Sequence, residues 1–211
     1  CPSPTSFPPK YGTIKASMIF EGMQNRPLEI KLYGDEKWYD KMLRPNRPPY
    51  FLGSTKSQPD GSAIFQVPAE YLNRMFTLYI ETPSHLRQYQ QTRDYIRLNE
   101  QTPCIGEICT TELKYQNVDF GFLVPGDIYT DFLGQKDQLI NTFDVSTSYS
   151  QWSVATDIAQ DGRVAADLNG DGAVNNRDLA ILLSNFGRSA KDNSRQTVVP
   201  SKKLIPVELP R

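Results

Sequence analysis

Residues 167–178 read Asp-Leu-Asn-Gly-Asp-Gly-Ala-Val-Asn-Asn-Arg-Asp, and their spacing decides how the second half of the chain folds. Asp167, Asn169, Asp171 and Asp178 stand at the first, third, fifth and twelfth positions of a twelve-residue loop, where side-chain oxygens converge on one hard cation. Gly172 at the sixth position permits the sharp turn between them. The carbonyl of Ala173 supplies the seventh-position ligand, and Asn175 the ninth, directly or through a water. Three carboxylates held this close repel one another and raise each other's pKa until a divalent ion neutralises them. The expected ligand is Ca2+. A metal-free surface turn is the other reading, because Asp, Asn and Gly are ordinary turn formers. The full pattern with its terminal acid is the more specific signature.

Working outward, residues 177–186 predict a helix, with Leu179, Leu182, Leu183 and Phe186 on one face and Gly187 at a left-handed C-cap. Upstream, residues 155–166 carry no comparable apolar stripe. A loop followed by a helix, without a strong entering helix, resembles half of a dockerin-type calcium module, a family in which two loop-helix halves pack together, and the resemblance implies a partner upstream. The acidic stretch 127–144 supplies one. Asn141 and Asp144 are spaced like Asn175 and Asp178, and Ile140 corresponds to Val174. This half is degenerate: it spans eighteen positions instead of twelve, and no glycine follows Asp131 or Asp137. Asp127, Asp144 and either Asp137 or Asp131 are its expected calcium ligands, with the insertion bulging away; a metal-free loop held by hydrogen bonds is the alternative. Residues 145–152 would form its helix, with Trp152 as a core contact.

Ahead of these loops the pattern is all-β. Ile14, Ala16, Met18 and Phe20 alternate with their neighbours, and so do Leu28, Ile30 and Leu32. Residues 50–52 and 63–67 flank Gln-Pro-Asp-Gly at 58–61, a turn signal that predicts a hairpin. Further strands are expected at 76–80, 94–98, 112–115 and 118–123, and the charged, proline-bearing stretch 37–49 reads as a surface loop. About seven short strands with Pro/Gly punctuation favour an antiparallel β-sandwich. The expected division is an extended proline-rich segment over residues 1–11, a sandwich over 12–124, a calcium module over 125–188 and an extended tail over 189–211.

Several function classes fall away on composition. A net charge of −1 gives no reason to propose a nucleic-acid partner, and no run of some 18 apolar residues is present to span a membrane. The chain has no nucleophile elbow, no zinc-protease motif and no phosphate loop, and its one histidine, His85, has no neighbouring Cys or His, so it does not read as an enzyme. Cys104 and Cys109 are expected to close a short disulfide loop outside the cytosol; two thiols and one distant histidine make a poor zinc set. Cys1 is compatible with a lipid anchor on a mature lipoprotein. The aromatics Trp38, Tyr39 and Tyr50 could build a glycan platform, although aromatics in sandwiches are more often core. The tail, with short β-branched runs broken by proline at 197–201 and 204–209, can add an edge strand to its own sheet or to a neighbouring copy.

The paired halves ending in Asn-Asn-Arg-Asp-Leu-Ala-Ile-Leu-Leu-Ser-Asn-Phe-Gly resemble a type I dockerin module, and residues 12–124 are similar to the carboxypeptidase-regulatory-like sandwich that precedes such modules in bacterial extracellular proteins. The resemblance implies secretion, calcium-dependent folding and a non-catalytic role in assembly or attachment. Dockerins of cellulosomes often carry a Ser/Thr pair at the tenth and eleventh loop positions that contacts cohesin; here those positions hold Thr142-Phe143 and Asn176-Arg177. With that departure, the expected function is a structural subunit of an extracellular or cell-surface assembly, joined head-to-tail as a homopolymer through its termini. The alternative is a dockerin-type module attaching to a cohesin-like or glycan partner.

Overall fold

The computed structural model describes residues 11–20, 27–36, 48–92, 95–98, 116–130, 135–152 and 165–190. Two sheets face each other. One has the order β4-β1-β8, formed by β1 (Tyr11–Phe20), β4 (Ser62–Pro68) and β8 (Gln116–Leu123). The other has the order β3-β2-β5-β6, formed by β2 (Glu29–Glu36), β3 (Tyr50–Lys56), β5 (Met75–Glu81) and β6 (Gln88–Tyr89), with β7 (Ile96–Arg97) also pairing β5. The alternation read from the sequence explains the layers. Ile14, Ala16 and Met18 on β1, with Phe65 and Val67 on β4 and Phe120 on β8, meet Ile30, Leu32, Leu52, Phe76, Leu78 and Ile80 from the facing sheet in one buried cluster. The chain is thus mainly β, a sandwich followed by a small helical module.

The strand pairing departs from expectation in three places. Residues 58–61 do form the turn, with Gly61 at φ +76 and its N–H donating to the Gln58 carbonyl at 3.0 Å, but the strands on either side are not a hairpin. β3 pairs with β2 and β4 pairs with β1, so the turn crosses from one sheet to the other. Both flanking strands send their apolar residues into the shared core, and two strands on opposite sides of a core cannot also pair edge to edge. β8 runs parallel to β1, with a register shift between Ser17 and Met18 that brings Met18 opposite Gly121. β6 is a two-residue strand without a sequence signal of its own. The strand expected at 112–115, the loop 37–47, Cys1, Cys104, Cys109, Trp38, Tyr39, Asp131 and residues 191–211 lie outside the described residues.

The helical module has its own core of Val124, Ile128, Ile140, Ala166, Leu168, Val174 and Leu182, to which the sandwich contributes Leu86. Its helices are α1 (Thr142–Ser150) and α2 (Asn176–Ser184). α1 begins at Thr142, earlier than expected, because Asn141 Oδ1 accepts from the Phe143 N–H at 2.7 Å while Asp144 Oδ2 accepts from the Asn141 N–H at 2.8 Å, a reciprocal cap that starts the helix there. Trp152 falls beyond its end, half-buried and stacked on the exposed Tyr149 at 5.7 Å, and is not among the described residues that form the module's core. α2 buries a different face from the one predicted: Asp178, Leu182 and Asn185 point inward, while Leu183 and Phe186 are exposed. The cause is Asp178. Its carboxylate must face the loop, and residues four and seven further on share that face. Gly187 takes the expected left-handed turn at φ +81 and donates to the Ile140 carbonyl at 2.8 Å.

Candidate metal centres

Each helix N-terminus closes a loop through one aspartate. Asp178 Oδ1 accepts from the N–H groups of Leu168 at 2.7 Å and Asn169 at 3.0 Å, and its Oδ2 accepts from Asn175 at 2.9 Å. Asp144 repeats the pattern: Oδ1 accepts from Ile128 and Tyr129, each at 2.8 Å, and Oδ2 from Asn141. This frame pairs the two loops residue by residue. Asp127 stands where Asp167 does, Ile128 and Leu168 are buried at the second position, and Ile140 and Val174 are buried at the eighth.

The insertion falls between Tyr129 and Asp137. Asp137 takes the fifth position, since its Oδ1 accepts from Leu139 N–H at 3.0 Å as Asp171 Oδ1 accepts from Ala173 N–H at 3.1 Å. Gln138 fills the place of Gly172 in the left-handed region, at φ +61 against +94. The missing glycine thus leaves the turn intact, at the strain of a non-glycine residue in that region. Two members of the first loop were absent from the sequence reading. The Leu139 carbonyl is the counterpart of the Ala173 carbonyl, and Tyr129 occupies the third position, where it stacks on Phe143 at 5.1 Å and offers no side-chain oxygen like that of Asn169. The match of Ile140 with Val174 already points to Leu139, and counting from Asp127 points to Tyr129; the closing hydrogen bonds fix both in register.

Carboxylate oxygens of Asp127, Asp137 and Asp144 all lie within 4.8 Å of one another, and so do those of Asp167, Asp171 and Asp178. The neighbouring amides already reach into the clusters: Asn175 Nδ2 donates to the Ala173 carbonyl at 3.2 Å, Asn169 Nδ2 to Asp171 Oδ2 at 3.0 Å, and Asn141 Nδ2 to Asp137 Oδ2 at 2.7 Å. Hydrogen bonding from Asn169 first, then from the Ala173 amide and Asn175, holds the exposed Asp171 below the usual carboxylate range. Burial pushes Asp178 up, against its three amide partners.

Asp127 is the most telling residue. It is fully buried, and among the described residues neither oxygen has a hydrogen-bond partner. Lys136 Nζ lies 3.7 Å from its Oδ2, an ion-pair distance beyond hydrogen-bond reach. Burial pushes Asp127 up to about 7, with Lys136 opposing and Asp144 and Asp137 adding to the shift. A buried carboxylate left this way is unfavourable by several kcal/mol. The surrounding donor set, carboxylate and carbonyl oxygens without nitrogen or sulfur, fits a hard cation such as calcium.

The sandwich reaches this first loop through residues 82–87. Lys136 Nζ donates to the carbonyls of Thr82 and His85, each at 2.9 Å, and Gln138 Oε1 accepts from Arg87 N–H at 2.7 Å. Gly126 N–H donates to the Ser84 carbonyl and Leu86 N–H to the Val124 carbonyl. His85 has a structural place here: its Nδ1 lies 3.0 Å from both Thr82 Oγ1 and Ser84 Oγ, and burial, with Lys136 nearby, drives its pKa down to about 3. Ser189 and Ala190, expected in the tail, instead pair with the first loop through a Leu139 bridge and a bond to the Gln138 carbonyl. Tyr50, offered as a glycan contact, packs against Phe76 and Tyr71 with Arg74 over its ring.

Two loops that each close on a helix cap and gather three carboxylates define a paired loop-helix, EF-hand-like class of module. Residues 135–186 match the Dockerin type I domain family, and the chain therefore carries a dockerin-type module. The match begins at residue 135, so it leaves out Asp127 and most of the insertion. Dockerin domains bind Ca2+, are non-catalytic and belong to extracellular or cell-surface assemblies, which favours an attachment module over a self-polymerising subunit. Two solved structures similar to this chain are interface mutants of a type II Cohesin-X-Dockerin complex from Acetivibrio cellulolyticus; they are 15% and 14% identical, each covering 86% of this chain and 99% of its own, with TM-score 0.48. A 9R-lipoxygenase from Cyanothece PCC8801 is 12% identical over 75% of this chain and 25% of its own, with TM-score 0.29. No curated protein matches the chain. Among the described residues, no helix is long and apolar enough to cross a membrane.

Proposed function

We propose that this chain is a non-catalytic, extracellular attachment protein whose dockerin-type module, folded around two calcium ions, docks onto a cohesin-like partner. Asp167, Asn169, Asp171, the Ala173 carbonyl, Asn175 and Asp178 hold one ion; Asp127, Asp137, the Leu139 carbonyl, Asn141 and Asp144 hold the other. The observation that supports the reading is a pair of short helices, each started by a loop that gathers three carboxylates, which leave large apolar side chains exposed. Phe143 and Tyr149 on α1, with Leu183 on α2 and Phe186 just beyond its end, are 49–58% exposed. An apolar set of this size on a small module has the character of a binding surface. Thr142, Phe143, Asn176 and Arg177, at the tenth and eleventh loop positions, are all exposed beside it. Calcium serves the interface by fixing the two helix starts, and so the spacing of those side chains.

The test is capture of cohesin domains by the full chain, with calcium and with a chelator. Binding should require calcium and be lost in Phe143→Ser with Leu183→Ser, while the calcium-loaded melting profile is unchanged. Failure to bind any of a broad cohesin panel, together with retention on a polysaccharide column, would replace the cohesin-like partner with a glycan.

A further inference from the structure

The two calcium loops differ in charge at the residue before the fifth-position aspartate. In the second loop this is Gly170, which has no side chain. In the first it is Lys136, whose ammonium is turned inward: it is 10% exposed, donates to the carbonyls of Thr82 and His85, and lies 3.7 Å from Asp127 Oδ2. The first cluster therefore holds three carboxylates and one buried positive charge. The second holds three carboxylates, and the cation paired with it among the described residues, Arg177, reaches Asp171 at 3.8 Å from an 80% exposed position where solvent screens it.

Lys136 is also fastened to another part of the molecule. Its two carbonyl acceptors belong to the sandwich segment 82–87, and Gln138, on the far side of Asp137, accepts from Arg87 N–H in that same segment. Asp137 is thus clamped between two side chains that both end on the sandwich. Withdrawal of Lys136 would strand two carbonyls in a buried place, which is unfavourable. The ammonium cannot simply swing away when a second cation arrives.

We propose that Lys136 is a resident cation of the first loop, which makes that loop the weaker calcium site and ties it to the seated position of residues 82–87. This rests on the calcium reading above. An ion ligated by Asp127 Oδ2 at about 2.4 Å sits no more than about 6 Å from Nζ, and a unit charge at that range opposes a divalent ion by roughly tenfold in affinity even with the full screening of water. The calcium affinity of the first loop and the docking of the sandwich are then linked, and each changes the other by the same factor.

Calorimetric calcium titration of the full chain, in an Asp171→Ala background that silences the second loop, reads the first site alone. Lys136→Met removes charge and donors, and Lys136→Gln removes the charge while keeping one amide donor. Both should tighten the first site, by about tenfold, while amide exchange across residues 82–87 quickens, more in Lys136→Met than in Lys136→Gln. Opposite movement of the two readouts is the signature; a merely structural lysine would weaken both. Unchanged or weakened calcium binding in both variants overturns the proposal and leaves the calcium reading standing. Tightening without faster exchange overturns the link to the sandwich. If the unsubstituted chain binds no calcium at either site, the calcium reading and this proposal fall together.

Discussion

Asp178 is expected to stabilise the module before any metal arrives, and Asp178→Ala in chelator isolates that role. The carboxylate accepts from three N–H groups, those of Leu168, Asn169 and Asn175, at 2.7–3.0 Å. The Leu168 amide is buried and becomes an unsatisfied donor on truncation, at about 1–3 kcal/mol. The other two are partly accessible, and water can replace the lost acceptor at roughly 0.5–1 kcal/mol each. Working the other way, burial raises the pKa of Asp178, so its ionised form is disfavoured in the fold and its removal returns part of that desolvation. The expected net loss is about 2–3 kcal/mol, a large fraction of what a small domain possesses. Asp178→Asn keeps a carbonyl oxygen for two of the amides and should lose roughly half as much.

The control is Asp171→Ala. Asp171 is exposed and accepts mainly from neighbours in its own turn, so its removal should scarcely move the metal-free fold while abolishing high-affinity calcium binding at that loop. Urea denaturation followed by helical circular dichroism, in chelator and in excess calcium, separates the two. If Asp178→Ala and Asp171→Ala unfold at the same urea concentration in chelator, the closing carboxylate is a metal ligand and nothing more, and the reasoning fails.

Four other outcomes follow from the same contacts. Calcium at a hundredfold over Kd should add about 2.7 kcal/mol per site, and its removal should raise amide exchange across 135–186 before the sandwich strands; uniform exchange would contradict two separate cores. His85 is held neutral with a pKa near 3, so stability it contributes above the unfolded value of about 6.5 is lost as pH falls from 6.5 towards 3. His85→Gln should flatten the pH profile across that window, measured in saturating calcium by thermal melts. Gln138→Val should destabilise by about 2 kcal/mol, because it places a β-branched side chain at positive φ and removes the acceptor of the Arg87 amide; an unchanged urea midpoint would count against Gln138 standing at the sixth position of the loop. Asp144→Ala should mirror Asp178→Ala in chelator, since it strands three amides of its own.

Local chemistry made the second loop legible. Its ligands lie within twelve consecutive residues, and alternation along β1 and β2 placed Ile14, Ala16, Met18, Ile30 and Leu32 in the core of the sandwich. What escaped the sequence depends on contacts between distant residues. The turn at 58–61 carries the same signal whether it joins paired strands or crosses between sheets, and only the pairing of β3 with β2 and β4 with β1 settles which. The face of α2 was misread because apolar spacing was taken as the sole guide to burial. A buried aspartate oriented the helix more strongly than Leu183 and Phe186 could. Nothing near Lys136 in sequence marks it as special, since its partners Thr82 and His85 lie more than fifty residues away.

The first loop explains why a degenerate sequence can keep the geometry. What defines this loop is the closing aspartate with its three amides and the two apolar residues, at positions two and eight, that plug the core between halves. Asp144, Ile128 and Ile140 retain all of that. The glycine at position six is replaceable because Gln138 adopts the left-handed conformation and gains a sandwich amide in return. The spacing between positions three and five is replaceable because the insertion leaves before the frame resumes at Asp137. A substitution that spares the closing frame should therefore alter calcium affinity without unfolding the loop, and one that breaks it should unfold the loop whatever the calcium concentration. Asp137→Ala and Asp144→Ala fall one in each category, since Asp137 is exposed in its own turn whereas Asp144 is buried under three amides. Equal loss of helical signal in chelator would show that the closing aspartate and its amides do not hold the loop.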